Sequence, residues 1–301
     1  MEILTPRDVP LGGLRAMTVR RTLPQRQRTL IGAWCFVDHY GPDRVSESGG
    51  MDVPPHPHTG LQTASWLFEG EIEHRDSAGH HAMVRPGELN LMTAGSGISH
   101  SERSTATTTS LAGIQLWIAL PEAARFVEAG FEHYAPPVTE GSGWTARVFL
   151  GSALGSTSPV LTHTPLLGAE VNVFDGSVLD LEVDPNFEHG VLVDHGSIDL
   201  RGQMIGRGEL AYLEPGVDRI VLSATGDTRL LLLGGPPFGE QIVMWWNFVA
   251  RSHEEVDQWR ADWQAEISGS AQTSRFGLPQ GDPGAPILAP VLPRVRLRPR
   301  S

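Results

Sequence analysis

Residues 86–95 read PGELNLMTAG, and residues 207–216 read RGELAYLEPG. Each places a Gly-Glu-Leu step before a short apolar run and closes on glycine. A second echo lies upstream, where Gly70-Glu71-Ile72-Glu73 matches Gly196-Ser197-Ile198-Asp199. Each half of the chain thus spells strand, turn, short hairpin and further strand. The second hairpin is five residues shorter, counting Gly70 to Gly87 against Gly196 to Gly208. A repeated all-β unit fits a 301-residue chain, for which about two domains are expected.

The rest of the chain follows the same pattern. TASWLFEG, LAGIQLWIAL, TARVFLG, HGVLVDHG and TRLLLLGG are apolar runs bounded by glycine. Such lengths suit buried strands, and many of them at close spacing predict an all-β sandwich or barrel. Two helices are expected. PEAARFVEAG, 121–130, has Pro121 at its first turn and Gly130 at its end. SHEEVDQWRADW, 252–263, carries a Ser252/Glu255 capping box and one apolar face of Val256, Trp259 and Trp263. The Pro/Gly/Ser-rich stretch 132–143 predicts the join. The expected domains are 1–135, 136–267 and a flexible Pro/Gly/Arg-rich tail at 268–301.

Composition excludes several functions. Hydrophobic residues make up 40% and charged residues 19%, as in a globular protein with a real core. The net charge of −12 argues against direct nucleic-acid binding. All basic residues are Arg, which excludes a lysine nucleophile or Schiff base. Cys35 is the single cysteine, so cysteine-rich zinc sites are excluded, and its apolar neighbours predict a buried small hydrophobe. No run is apolar enough to cross a membrane and the start has no leader pattern, so a cytoplasmic protein is expected.

PPHPHTG, 54–60, carries His56 and His58. With 12 histidines in the chain, roughly half an H-x-H arises by chance, so the pair needs support. In a strand both imidazoles share a face, and Pro57, tolerated at a strand's start or on an edge, makes this a strand beginning. GISHSE repeats the spacing with His100 and Glu102. Two such strands facing each other across a barrel would assemble three nitrogens and one carboxylate. That set suits Fe(II), Ni, Mn, Cu or Zn and leaves open positions for water, O2 or substrate. His253 and Glu255 share the spacing but fall on the expected helix, where they point apart. His80 and His81 read as exposed turn residues, and His74 fits either face. Aligning the repeats puts Val221 and Ser223 opposite His100 and Glu102, so no second metal site is expected near His189 and His195.

Taken together, HPHTGLQTASWLFEGEIEHRDSAGH, PGELNLMTAGSGISHSE, LAGIQLWIALP and LLLGGPPFGEQIVMWWNFVARSHEEV resemble the pirin family of the cupin superfamily. The resemblance spans roughly residues 10–268. It implies a bicupin, two packed double-stranded β-helix barrels, with one metal, usually iron, in the first. The implied ligands are His56, His58, His100 and Glu102. It implies either a quercetinase-type dioxygenase acting on a flavonol or related aromatic diol with O2, or a redox-sensitive regulator that binds a protein partner without turnover. Glu102 would accept the substrate proton. Trp66, Phe68, Met92 and Trp117 are candidate pocket residues. The family usually has Arg and Glu where Thr59 and Gln62 stand, Arg at Ser96 and Pro at Asn247. Gln62 falls on the ligands' face if the strand stays regular. These departures bear on the site's surroundings and entrance, and so on substrate identity.

Overall fold

A computed structural model describes residues 1–11 and 17–301. The first half builds two sheets. A seven-stranded antiparallel sheet runs in the order Gly130–Tyr134, Leu89–Thr93, Leu61–Glu69, Ser110–Ala119, Trp34–Arg44, Thr18–Leu23, Arg7–Pro10. A four-stranded sheet runs Asp52–His58, Ile98–Ser104, Ile72–Asp76, His81–Val84. The second half forms a nine-stranded sheet around the long strands Glu188–Leu200 and Arg219–Gly235. Register breaks on both sides of His195 let Glu188–Leu200 bend. The repeat seen in the sequence holds: Leu89–Thr93 and Leu210–Leu213 are equivalent strands, and Gly70 and Gly196 both take a positive φ at the equivalent turn.

Alternation along the strands sends side chains to two different cores. In Leu61–Glu69, Ala64 and Trp66 enter a core shared with Phe149, Leu192, Leu231 and Leu233 of the second half, with Phe68 packed against it. The Trp66 indole donates to Glu170 at 2.7 Å and lies 4.6 Å from the Phe149 ring. Trp34 spans the same seam and donates to the Gly234 carbonyl. Beside it the fully buried His39 meets Asp194 at 2.5 Å, and Arg229 closes on the same carboxylate while stacking over Phe68. The second barrel's interior is apolar, filled by Val148, Val171, Leu181, Val193, Ile198, Leu222 and their neighbours.

Three expectations need correction: the helix at 121–130, the placement of the chain's first residues, and the flexible tail. Residues 121–127 form successive turns rather than a helix. The Ala124 amide closes on the Pro121 carbonyl and the Val127 amide on the Ala124 carbonyl, each three positions back; the chain then returns to a strand at Gly130. The helix expected at 252–263 is present as His253–Ile267, with the Ser252 hydroxyl accepting the Glu255 amide and Val256, Trp259 and Trp263 buried. The first strand, Glu2–Leu4, pairs with Leu210–Leu213, so the chain's start lies in the second half's sheet.

The tail differs most from expectation. It has almost no regular structure, yet it is tied down along its length. Phe276 is buried against Phe248 and Trp263, and Glu266 accepts the amides of Phe276 and Gly277. Asp282 pairs with Arg103, and the Ile287 amide donates to the Pro55 carbonyl at 2.8 Å. Arg300 forms a two-way bridge with Ile242. Proline content made the segment look like a linker. Phe276 and Asp282 dock it by their side chains, Arg275 and Arg296 pair with Asp262 and Glu254 of the helix, and Ile287 and Arg300 dock through the backbone.

Placing Trp66 at the seam generates a prediction. Trp66→Ala should cost about 3–5 kcal/mol of stability, the usual range for emptying a buried tryptophan site. Urea denaturation measures it. An unchanged midpoint would mean that the indole does not hold the two halves together.

Candidate metal centre

Ile98–Ser104 lies between two antiparallel partners. On one side Ile98 pairs with His58 and His100 with His56. On the other, His100 pairs with Asp76 and Glu102 with His74. A register break after His100 shifts Glu102 opposite Val53. Paired residues share a face, so this register gathers His56, His58, His74, His100 and Glu102 on one side of the four-stranded sheet. The expected strands are therefore hydrogen-bonded neighbours in one sheet rather than opposite walls. The H-P-H stretch ends its strand rather than beginning it. Asp52–His58 is an edge strand, which is the position open to its prolines. Its free edge is covered by the tail at Ile287.

The ligating atoms of His56, His58 and His100 lie within 4.8 Å of one another, as do those of His74, His100 and Glu102. His56, His58 and His100 ring centroids are 4.4–5.0 Å apart. All are buried, and among the described residues none of them pairs with an arginine. Burial pushes the His56 pKa down to about 4; burial, then the neighbouring imidazoles, hold His58 and His100 well below the usual range. Burial also raises the Glu102 carboxyl, whose one hydrogen-bond donor is the Ser65 hydroxyl at 3.2 Å. The His56 Nδ1–H donates to the Pro54 carbonyl at 2.9 Å, which leaves Nε2 as a lone pair. His58 Nδ1 has no partner. Neutral imidazoles with free lone pairs beside an uncompensated buried carboxyl are a donor set that fits a cation.

The donors open on a cavity of about 410 Å³, a size suited to a small organic ligand. Its back wall is built from rungs of the seven-stranded sheet. One rung runs Phe36, Trp117, Thr63 across three strands. Phe36 and Trp117 stack at 4.0 Å and 11°, and Trp117 meets His58 edge-on at 5.1 Å. The next rung runs Arg21, Asp38, Gln115, Ser65. Arg21 is held bidentate by Asp38 and lies over Phe36, at 4.3 Å. The mouth receives Trp246 and Asn247 from the turn between Val243–Trp245 and Phe248–Ala250, and Ile287 from the tail. Trp246 sits at φ 52°, a strained conformation for a bulky residue and one that often marks a functional site.

Of the expected pocket residues, Trp117 lines the cavity. Trp66 and Phe68 do not; they face the seam. Met92 continues the Trp117 rung past Thr63 but packs with Ala94 and Ile98 beyond the cavity. Gln62 is turned away from the ligands and donates to Thr93, because Gly60 at φ 73° breaks the strand and resets its parity. Thr59 is buried in that turn, its carbonyl accepting the Val249 amide. Ser96 is exposed outside the cavity and bonds to the Phe126 carbonyl. Asn247 does line the mouth. Sequence reading missed Arg21, Phe36, Thr63, Gln115 and Ile287; the alternation of Trp34–Arg44, Leu61–Glu69 and Ser110–Ala119 carried a signal for the middle three. In the second half Val221 is exposed and His189 is buried alone; no metal-like cluster occurs there among the described residues.

Two barrels of cupin type, one filled with apolar side chains and the other holding a buried polar cluster under a cavity, define a bicupin. Family models agree: Pirin matches residues 16–118, and the Pirin C-terminal cupin domain matches 168–268. A Pseudomonas aeruginosa protein, named provisionally as a quercetin 2,3-dioxygenase, is 42% identical over 294 residues, covering 97% of this chain and 91% of that one. The crystal structure of quercetin 2,3-dioxygenase from Acinetobacter baumannii superimposes with a TM-score of 0.92 at 38% identity, covering 99% and 97% of the two chains. A bacterial pirin from Escherichia coli in complex with nickel(II) shares the fold, with a TM-score of 0.62 at 19% identity over 78% of this chain and 99% of that one. The chain belongs to the pirin family. No helix among the described residues is long and apolar enough to cross a membrane.

The buried imidazoles set a pH dependence for the metal-free protein. A histidine whose folded pKa lies below its unfolded value binds its proton first in the unfolded chain, so stability falls with pH. The loss should begin near pH 6.5 and continue toward pH 4, where His56 itself titrates. Glu102, raised by burial, opposes this with at most one proton against three imidazoles. Urea titrations from pH 7.5 to 4.5 with chelator present measure the slope. A flat profile would show that water reaches the rings.

Proposed function

We propose that the protein is a metal-dependent dioxygenase of quercetinase type, and that His56, His58, His100 and Glu102 hold its metal. The observation that carries the reading is the clustering of His56, His58 and His100, with Glu102 beside His100, all four lining a cavity edged by the Phe36–Trp117 stack. The relatives named for this activity in Pseudomonas and Acinetobacter support it. The ion is Fe(II) in this reading; the nickel of the Escherichia coli pirin shows that other divalent ions suit this fold. When bound, a redox-capable ion supplies positive charge that favours a deprotonated hydroxyl and a route for electrons to O2.

The chain's own residues do the rest. Phe36 is covered on its two faces by Trp117 and Arg21, so a planar aromatic diol or flavonol meets the stack at its ring edges or on the outer face of Trp117. Glu102 receives the substrate's hydroxyl proton as the general base of the site. Gln115, Asn247 and Arg21 offer hydrogen bonds around the cavity, and Trp246 and Ile287 add apolar surface to its lining.

Anaerobic purification with metal analysis, followed by O2 uptake with quercetin and simpler catechols, tests the reading. Iron-loaded protein should consume O2 with at least one of them, and Glu102→Gln should slow that uptake by about 10²–10⁴-fold. His56→Ala should lose the metal. Iron-loaded protein that consumes no O2 across the panel is not this dioxygenase, and a partner-binding regulator would then be the better account.

A further inference from the structure

Beyond the four donors, two buried polar residues on the same sheet have no place in the mechanism above. His74 and Asp76 are each 2% exposed, as deep as the donors themselves. We propose that they form a positioning relay that fixes the tautomer and ring orientation of His100; this rests on the metal reading above.

The valence of imidazole fixes the proton positions. A neutral ring has one N–H and one lone pair. His74 Nε2 lies 3.3 Å from Asp76 Oδ2, and a carboxylate only accepts, so Nε2 carries the proton. His74 Nδ1 is therefore a lone pair. It lies 3.3 Å from His100 Nδ1, which must then be the N–H. His100 Nε2 is left as its lone pair, free to join those of His56 and His58. Each link leaves a single choice for the next. The start of the relay is itself anchored: Asp76 accepts the His80 amide at 2.9 Å and the His80 ring at 3.0 Å. Phe131 packs on both His74 and His80, at 4.9 and 5.4 Å between centroids, and closes the relay off from water.

The strand register makes the arrangement obligatory. Asp76 stands directly opposite His100, and His74 opposite Glu102, so the His74 ring lies diagonal to His100. His56 has its own fixed tautomer through Pro54. His100 has no backbone carbonyl in that role, and His74 takes it. Partners of this kind on ligating histidines commonly govern metal affinity by 10–100-fold. His74 also lies within ligating distance of His100 and Glu102, so it could instead be a ligand. Engagement of both its nitrogens, one by Asp76 and one by His100, speaks against that.

Two measurements on the full chain test the relay. Long-range ¹H–¹⁵N spectra of histidine-labelled, Zn(II)-loaded protein report tautomers directly. The expected result is Nε2–H at His74 and Nδ1–H at His100; any other pair overturns the relay, without the need for a variant. Zn(II) affinity is then compared across variants. His74→Phe should weaken it by about 10–100-fold. His74→Gln, whose amide oxygen still accepts from His100, should restore it to within a few-fold. Loss in His74→Gln as deep as in His56→Ala would make His74 a ligand and sink the relay. Unchanged affinity in His74→Phe would sink it as well. Unchanged affinity in His56→Ala would instead remove the metal reading, and the relay with it.

Discussion

The functional half of this molecule depends on the register of one strand. Ile98–Ser104 meets Asp52–His58 on one side and Ile72–Asp76 on the other, so His100 faces His56 and Asp76 across its two edges. A slip of one residue would turn His100 and Glu102 to the opposite face and scatter the cluster. Nothing in the cluster can enforce that register alone, because bringing polar donors together under burial is unfavourable until a cation joins them. The enforcement comes from outside. Ser99 is tied to Ser77, Phe276 and Gly277, and Arg103 to Asp282, so the strand's outward face is fastened while its inward face carries the donors.

This division of labour explains why the tail matters although it contributes one side chain to the cavity. Asp52–His58 is an edge strand with three prolines, which cannot donate to a neighbour on either side. The tail donates instead, from the Ile287 amide to the Pro55 carbonyl. Trp263 in turn holds the Ile287 carbonyl from the helix, linking the helix's buried face to the mouth of the cavity. The matched cupin region ends at residue 268, so this fastening lies outside both family-model ranges.

The fold was largely legible from sequence, because glycine punctuation and the Gly-Glu-Leu repeat are local signals. The clustering of His56, His58 and His100, with Glu102 beside His100, was legible too: i, i+2 spacing needs only that each stretch be extended. What failed was parity across a break. Gln62 would share a face with His58 in a continuous strand, but the turn at Gly60 carries the chain from one sheet to another and resets the alternation. Trp66 and Phe68 were misplaced because a barrel that packs on a second barrel has two buried faces, and apolar character cannot say which one is the pocket. Ser96 and the tail depend on contacts between residues roughly 180 positions apart, such as Arg275 on the Ser96 carbonyl. Periodicity carries no trace of those.

Comparison of the two barrels shows how small the difference is between a core and a site. Both are built from the same repeat, with equivalent strands at Leu89–Thr93 and Leu210–Leu213. In the second, the inward positions are Val, Leu and Ile, and they fill the interior. In the first, polar residues at Asp38, Gln115 and Ser65 and the donors across from them replace part of that filling, and a cavity remains. Apolar packing of the second barrel and the shared tryptophan-rich seam stabilise a fold whose first barrel is under-packed and holds buried donors. A metal-free first barrel alone would have to bear the desolvation of three imidazoles and a carboxyl without that support. The filled barrel thus has a physical role in the site although it binds nothing there: it supplies the apolar burial that lets its twin keep a polar interior.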